Sequence, residues 1–120
     1  MKKWSRQDVV VSEAATLKER TRIVIGLLVI DKRRHEVTLA SQPVKLTPME
    51  FALLWQLALE PGRVFRRDEL LQALWSNGIS VEDRTIDTHI SKVRRKLGQS
   101  PEGLSLIETV WGIGYRLKDS

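Results

Sequence analysis

The stretch Arg84-Thr85-Ile86-Asp87-Thr88-His89-Ile90-Ser91-Lys92-Val93-Arg94-Arg95-Lys96-Leu97 decides how this chain folds. At about 100° per residue, Ile86, Ile90, Val93 and Leu97 gather within about 60° of one another, one narrow apolar stripe on a helix. Arg84, Thr88, Ser91, Lys92 and Arg95 fall on the opposite side, and His89 and Arg94 flank the stripe. Gly98 follows as a typical helix stop. Five basic residues stand here against one acid, Asp87, so the segment carries +4 of the chain's net +5. A basic run is also what a solvated helix face looks like. Such a face usually mixes Glu with Lys, whereas here the outward side pairs short residues (Thr88, Ser91) with long cations. A helix of this length spans about 21 Å, and its width fits the roughly 12 Å major groove of B-form DNA. Short side chains let the axis approach base edges while cations reach phosphates or guanine.

Upstream, Thr47-Pro48-Met49-Glu50 is a helix start: Thr47 caps, Pro48 suits the first helical position and Glu50 completes a capping box. That helix is expected to run to Glu60, stop at Pro61-Gly62, and be buried nearly all round through Phe51, Leu53, Leu54, Trp55, Leu57, Ala58 and Leu59. A short strand at 63–65 and a second helix from Arg67 to Leu74 follow. Before the first helix, Ile23–Ile30 reads as one or two strands broken at Gly26. Next come a turn at 31–34, an alternating strand at 35–40, a turn at Ser41-Gln42-Pro43 and a strand over Val44-Lys45-Leu46. After the basic helix, 106–110 and 115–117 read as strands joined across Trp111-Gly112-Ile113-Gly114. The fold class expected is therefore α+β: a winged helix-turn-helix with a small antiparallel N-terminal sheet, three helices and a C-terminal hairpin as the wing. Residues 22–118 form that domain, and 1–21 read as a tail or interdomain linker in which only Val9–Val11 suits an edge strand.

Length and composition narrow the rest. One hundred and twenty residues make one domain able to build a core without staples, and the absence of cysteine removes disulfides and thiolate chemistry. The apolar run Ile23–Ile30 is far short of the roughly 20 residues that span a bilayer, and no signal peptide follows Met1-Lys2-Lys3. A soluble, cytoplasmic protein is expected. No catalytic constellation is visible: His35 and His89 are far apart, and the pairs Asp68-Glu69 and Glu82-Asp83 sit at helix starts, where the helix dipole favours them. Gly112-Ile113-Gly114 lacks the third glycine and the helix of a dinucleotide site. No enzyme, no metal and no cofactor is expected.

The sequence resembles the OmpR/PhoB-type winged-helix DNA-binding domain, the effector half of two-component response regulators. The resemblance is carried by Leu46-Thr47-Pro48-Met49-Glu50-Phe51, Gly62-Arg63-Val64-Phe65, Asp68-Glu69-Leu70-Leu71, Asp83-Arg84-Thr85-Ile86-Asp87-Thr88-His89-Ile90, Arg94-Arg95-Lys96-Leu97 and Glu108-Thr109-Val110-Trp111-Gly112-Ile113-Gly114-Tyr115-Arg116-Leu117. It implies sequence-specific binding to double-stranded promoter DNA, with two protomers head to tail on direct repeats. It implies base contacts from Thr88 and Lys92. Phosphate contacts are implied for Arg66, Arg67, Arg84, His89, Ser91, Arg94 and Arg95, and a wing contact for Thr109, Trp111, Gly112 and Arg116. The loop 75–83, with Trp75, Asn77 and Glu82, matches the family's RNA polymerase contact loop. Three positions depart from the pattern. Trp111 stands where many members carry a minor-groove arginine, Arg66 replaces a capping serine, and Ser91 replaces an arginine. No receiver domain fits in 1–21, so the chain reads as a fragment of a longer regulator or a stand-alone effector domain. The competing reading is a winged-helix module whose exposed helix binds protein or RNA, with Trp4, Trp75 and Trp111 as anchors. The acid-poor basic face favours a phosphate partner, and duplex DNA suits a helix better than the narrow major groove of A-form RNA.

Overall fold

The computed structural model describes residues 21–80, 85–98 and 106–118. Its first layer is a four-stranded antiparallel sheet in the order β1 (Arg22–Ile25), β2 (Leu28–Asp31), β3 (Glu36–Leu39) and β4 (Gln42–Val44). The apolar run from Ile23 does divide at Gly26, whose φ of 59° makes the tight reversal. The last strand differs from expectation. The turn between β3 and β4 is Ala40-Ser41, both at positive φ (52° and 67°), so Gln42 and Pro43 lie inside the strand and 45–47 outside it. Pro43 is tolerated because β4 is an outer strand, where a missing N–H leaves no ladder bond unmade.

Helix α1 (Pro48–Leu59) starts as its sequence dictates. Thr47 Oγ1 accepts from the Glu50 N–H at 3.2 Å, and the Thr47 N–H donates back to Glu50 Oε1 at 2.9 Å. Phe51, Leu53, Leu54, Trp55, Leu57 and Ala58 are all buried, which makes α1 the centre of the core. Gly62, at φ 86°, turns the chain, and its N–H donates to the Leu117 carbonyl at 2.7 Å. Strand β5 is only Phe65–Arg66, later than expected. Helix α2 (Arg67–Ser76) runs two residues beyond the expected Leu74 and buries Leu70, Leu71 and Leu74. Arg66 at its N-cap has no side-chain acceptor to offer. Only the carboxylate half of the box is made, from the Arg66 N–H to Glu69 Oε1 at 2.8 Å.

Helix α3 (Thr85–Leu97) is followed by the hairpin β6 (Ile107–Val110) and β7 (Gly114–Leu117). The hairpin is not free-standing: β7 also pairs with β5, in register Phe65↔Tyr115 and Arg66↔Gly114, giving a second sheet in the order β5-β7-β6. Gly114 is needed there, because a Cβ would collide with the Phe65 carbonyl. The hairpin therefore grows out of the strand that feeds α2. The expectations for Val9–Val11, Glu82 and Arg84 lie outside the described residues.

Candidate nucleic-acid interface

Ile86, Ile90, Val93 and Leu97 are fully buried, so the stripe read from the sequence is the one that seats α3 on the core. Thr88, Ser91, Lys92 and Arg95 are all exposed on the outward side. Arg94, Arg95 and Lys96 occupy the last turn, where cations complement the helix dipole. The two flanks of the helix are tied down differently. On one, Lys96 reaches back to α1 and donates to Glu50 Oε1 at 2.6 Å. Glu50 is only 2% exposed. Burial pushes its carboxyl up, but Lys96 and the Thr47 N–H outweigh burial and hold it below the ordinary carboxylate range. On the other flank stands the wing.

There Arg94 takes an intramolecular part as well. It is half-buried, its Nε donates to the Ile107 carbonyl at 3.1 Å, and its Nη2 donates to Thr109 Oγ1. The guanidinium also lies 5.6 Å from the centre of the Tyr115 ring. Arg94 thus stitches α3 to the wing, since its edge position on the helix points it at β6 rather than outward. Thr109, expected as a wing contact, has its oxygen engaged by that same guanidinium. Arg67 is likewise engaged, its Nε donating to Asp87 Oδ1 at 2.8 Å. The same oxygen accepts from the Tyr115 hydroxyl. Arg67 and then Tyr115 hold Asp87 below its usual range, while burial and then Asp87 raise Tyr115. The sequence reading counts Asp87 only as the one acid of the segment and gives it no role; its signal is that it is the one carboxylate on a cationic helix.

The other expected residues fall as follows. Arg66 is exposed and pairs with Asp68 at 3.2 Å. His89 is half-buried, with Nδ1 inward and without a hydrogen-bond partner among the described residues, so only the far side of its ring is turned toward the surface. At the wing tip Trp111 is 87% exposed and Ile113 56%, an apolar knob on either side of Gly112, whose φ of 80° makes the turn. Arg116 is exposed and donates to Glu108 at 2.8 Å, holding that carboxyl low. At the end of α2, Trp75 is half exposed, and the Asn77 side chain donates to the Ala73 carbonyl at 2.9 Å, closing the helix. Among the described residues no cluster of His, Asp or Glu could hold a metal ion, and no helix is long and apolar enough to cross a membrane.

Residues 41–117 match the family model described as transcriptional regulatory protein, C terminal. The transcriptional regulatory protein ResD of Bacillus subtilis is 35% identical over 98% of this chain and 55% of its own length. SrrA of Staphylococcus aureus, also described as a transcriptional regulatory protein, is 42% identical over 76% of this chain and 38% of its own length. The chain thus spans about half or less of these relatives. Among solved structures, the Klebsiella pneumoniae RstA DNA-binding domain in complex with the RstA box superposes with a TM-score of 0.71 at 33% identity. That match covers 84% of this chain and all of the RstA domain.

Proposed function

The chain belongs to the family of transcriptional regulatory protein C-terminal domains, and from that premise we propose that it binds promoter DNA through α3. The observation that carries this reading is the opposition on one short helix of a fully buried aliphatic stripe and an exposed face of Thr88, Ser91, Lys92 and Arg95. Lys92 and Thr88, at the centre of the exposed face, read base edges, and Arg95 neutralises phosphate. Arg66 and Arg67 at the start of α2, together with Arg84, contact the adjoining backbone, and Ser91 adds a neutral donor. His89 offers the outer side of its ring. The apolar wing tip of Trp111 and Ile113, with Gly112 and Arg116, lies along the sugar-phosphate wall. Two protomers arranged head to tail on direct repeats supply the length of sequence that one helix cannot read. The loop after α2, with Trp75, Asn77 and Glu82, faces RNA polymerase, and the protein works in the cytoplasm without catalysis or cofactor.

A salt titration tests the reading. About four phosphates neutralised gives a log–log slope near −4, or about a hundredfold weaker binding between about 50 and 200 mM salt. A selected duplex bound with that slope, and bound more tightly than scrambled DNA, is the expected result. A flat salt response refutes the proposal.

A further inference from the structure

Asp87 and Tyr115 belong to none of the contacts assigned above, yet they occupy the point where three elements meet. Asp87 Oδ1 accepts from Arg67 on α2 and from the Tyr115 hydroxyl on β7. Tyr115 is itself paired to Phe65, two residues before α2 begins, and is only 8% exposed. Seven residues further along α3, on the same side of the helix and about 10 Å up its axis, Arg94 holds β6 through Ile107 and Thr109 and covers the Tyr115 ring. The wing is therefore attached to α3 at two heights, and the lower attachment also fixes the start of α2. Such a two-point attachment leaves a hairpin little freedom to tilt against the helix beside it.

We propose that the Tyr115–Asp87 hydrogen bond is a latch that sets the pose of the wing against the recognition helix, making both residues positioning residues for DNA binding. The inference rests on the DNA-binding reading. Its physical content is preorganisation: α3 and the wing must reach the duplex together, and a wing that tilts freely must be ordered during binding at a cost in affinity. A buried hydroxyl spent on Asp87 makes no phosphate contact of its own. The latch therefore affects affinity without affecting the number of counterions released.

Tyr115→Phe removes the hydroxyl and keeps the ring under Arg94. The expected result is binding weaker by about five- to tenfold on both selected and scrambled duplex, with the salt slope unchanged. In the free protein, amide exchange at Val110 and Gly114 should accelerate relative to Leu54 in α1. Trp111→Ala should cost less in the Tyr115→Phe background than alone, because a wing already out of place has less to lose. A salt slope that falls by about 0.9 would make Tyr115 a phosphate contact and overturn the proposal. Unchanged affinity, or unchanged wing exchange, would overturn it too. If the unmutated protein bound no duplex, the functional reading would fail separately, and the exchange measurement would alone decide whether the latch holds the wing.

Discussion

Lys96→Met separates the cations that serve the fold from those that face outward. Lys96 counts toward the basic character of α3, but its ammonium sits 2.6 Å from Glu50 Oε1, and Glu50 is 2% exposed. Removing one partner of a fully buried pair costs about 3–5 kcal/mol, because an uncompensated charge stays behind. Two features lower that figure here. The Lys96 side chain is 35% exposed, so water already shares the load, and Glu50 keeps its bond from the Thr47 N–H. The expected loss is about 2 kcal/mol at neutral pH, a fall in melting temperature of about 8–16 °C for a domain of this size. The sign with pH follows from the lowered Glu50 pKa. The pair's contribution is complete above the ordinary value of 4.5 and disappears as pH falls through the depressed folded value. Without Lys96, burial favours the protonated carboxyl, so the gap between the two proteins should narrow on acidification. Thermal melts of both proteins from neutral pH down to about pH 3.5, with Glu50→Gln/Lys96→Met as a neutral-pair control, make the measurement. A loss under about 0.5 kcal/mol at neutral pH, or a gap that widens in acid, would refute the reasoning. The salt slope of DNA binding should be unaltered in the folded variant.

Three further outcomes are expected. Lys92→Ala should relax sequence preference at one base position at a cost of about 1–3 kcal/mol, whereas Arg95→Ala should weaken all duplexes alike and lower the salt slope by about one; binding assays on a mutated-site panel distinguish them. Arg66→Ser should restore a side-chain acceptor to the N-cap of α2 and stabilise the domain by about 0.5–1 kcal/mol in urea melts, while weakening DNA binding through loss of a cation. Gly114→Ala should destabilise by about 2 kcal/mol in the same melts, because its methyl meets the Phe65 carbonyl and must push β7 off β5.

What the sequence revealed and what it concealed divides along chain separation. The Thr47–Glu50 box lies within one helical turn and the Ile86–Leu97 stripe within one helix of about three turns, so local pattern alone exposes them. The engagements that change the meaning of the site join residues far apart: Glu50 with Lys96, Arg67 with Asp87, Asp87 with Tyr115, and Arg94 with Ile107 and Thr109. A cation on a helix looks the same in a sequence whether it faces solvent or a carbonyl. Arg94 reads from the sequence as a residue flanking the apolar stripe, and β6 beside it is what the sequence alone does not show. The shift of β4 has a local cause instead. Ala40 adopts left-handed backbone without being a residue that announces a turn, so the sequence reading centres the turn on Ser41-Gln42-Pro43 instead of on Ala40-Ser41.

Pro43 also bears on the protein's behaviour in crowded solution. A sheet that ends in an unprotected strand invites neighbouring chains to continue it, the first step toward fibrous precipitates. On the rim formed by Gln42–Val44, a ring with no hydrogen to give stands at the middle position, so an intruding chain finds no donor there. Pro43 thus insulates this side of the molecule against polymerisation.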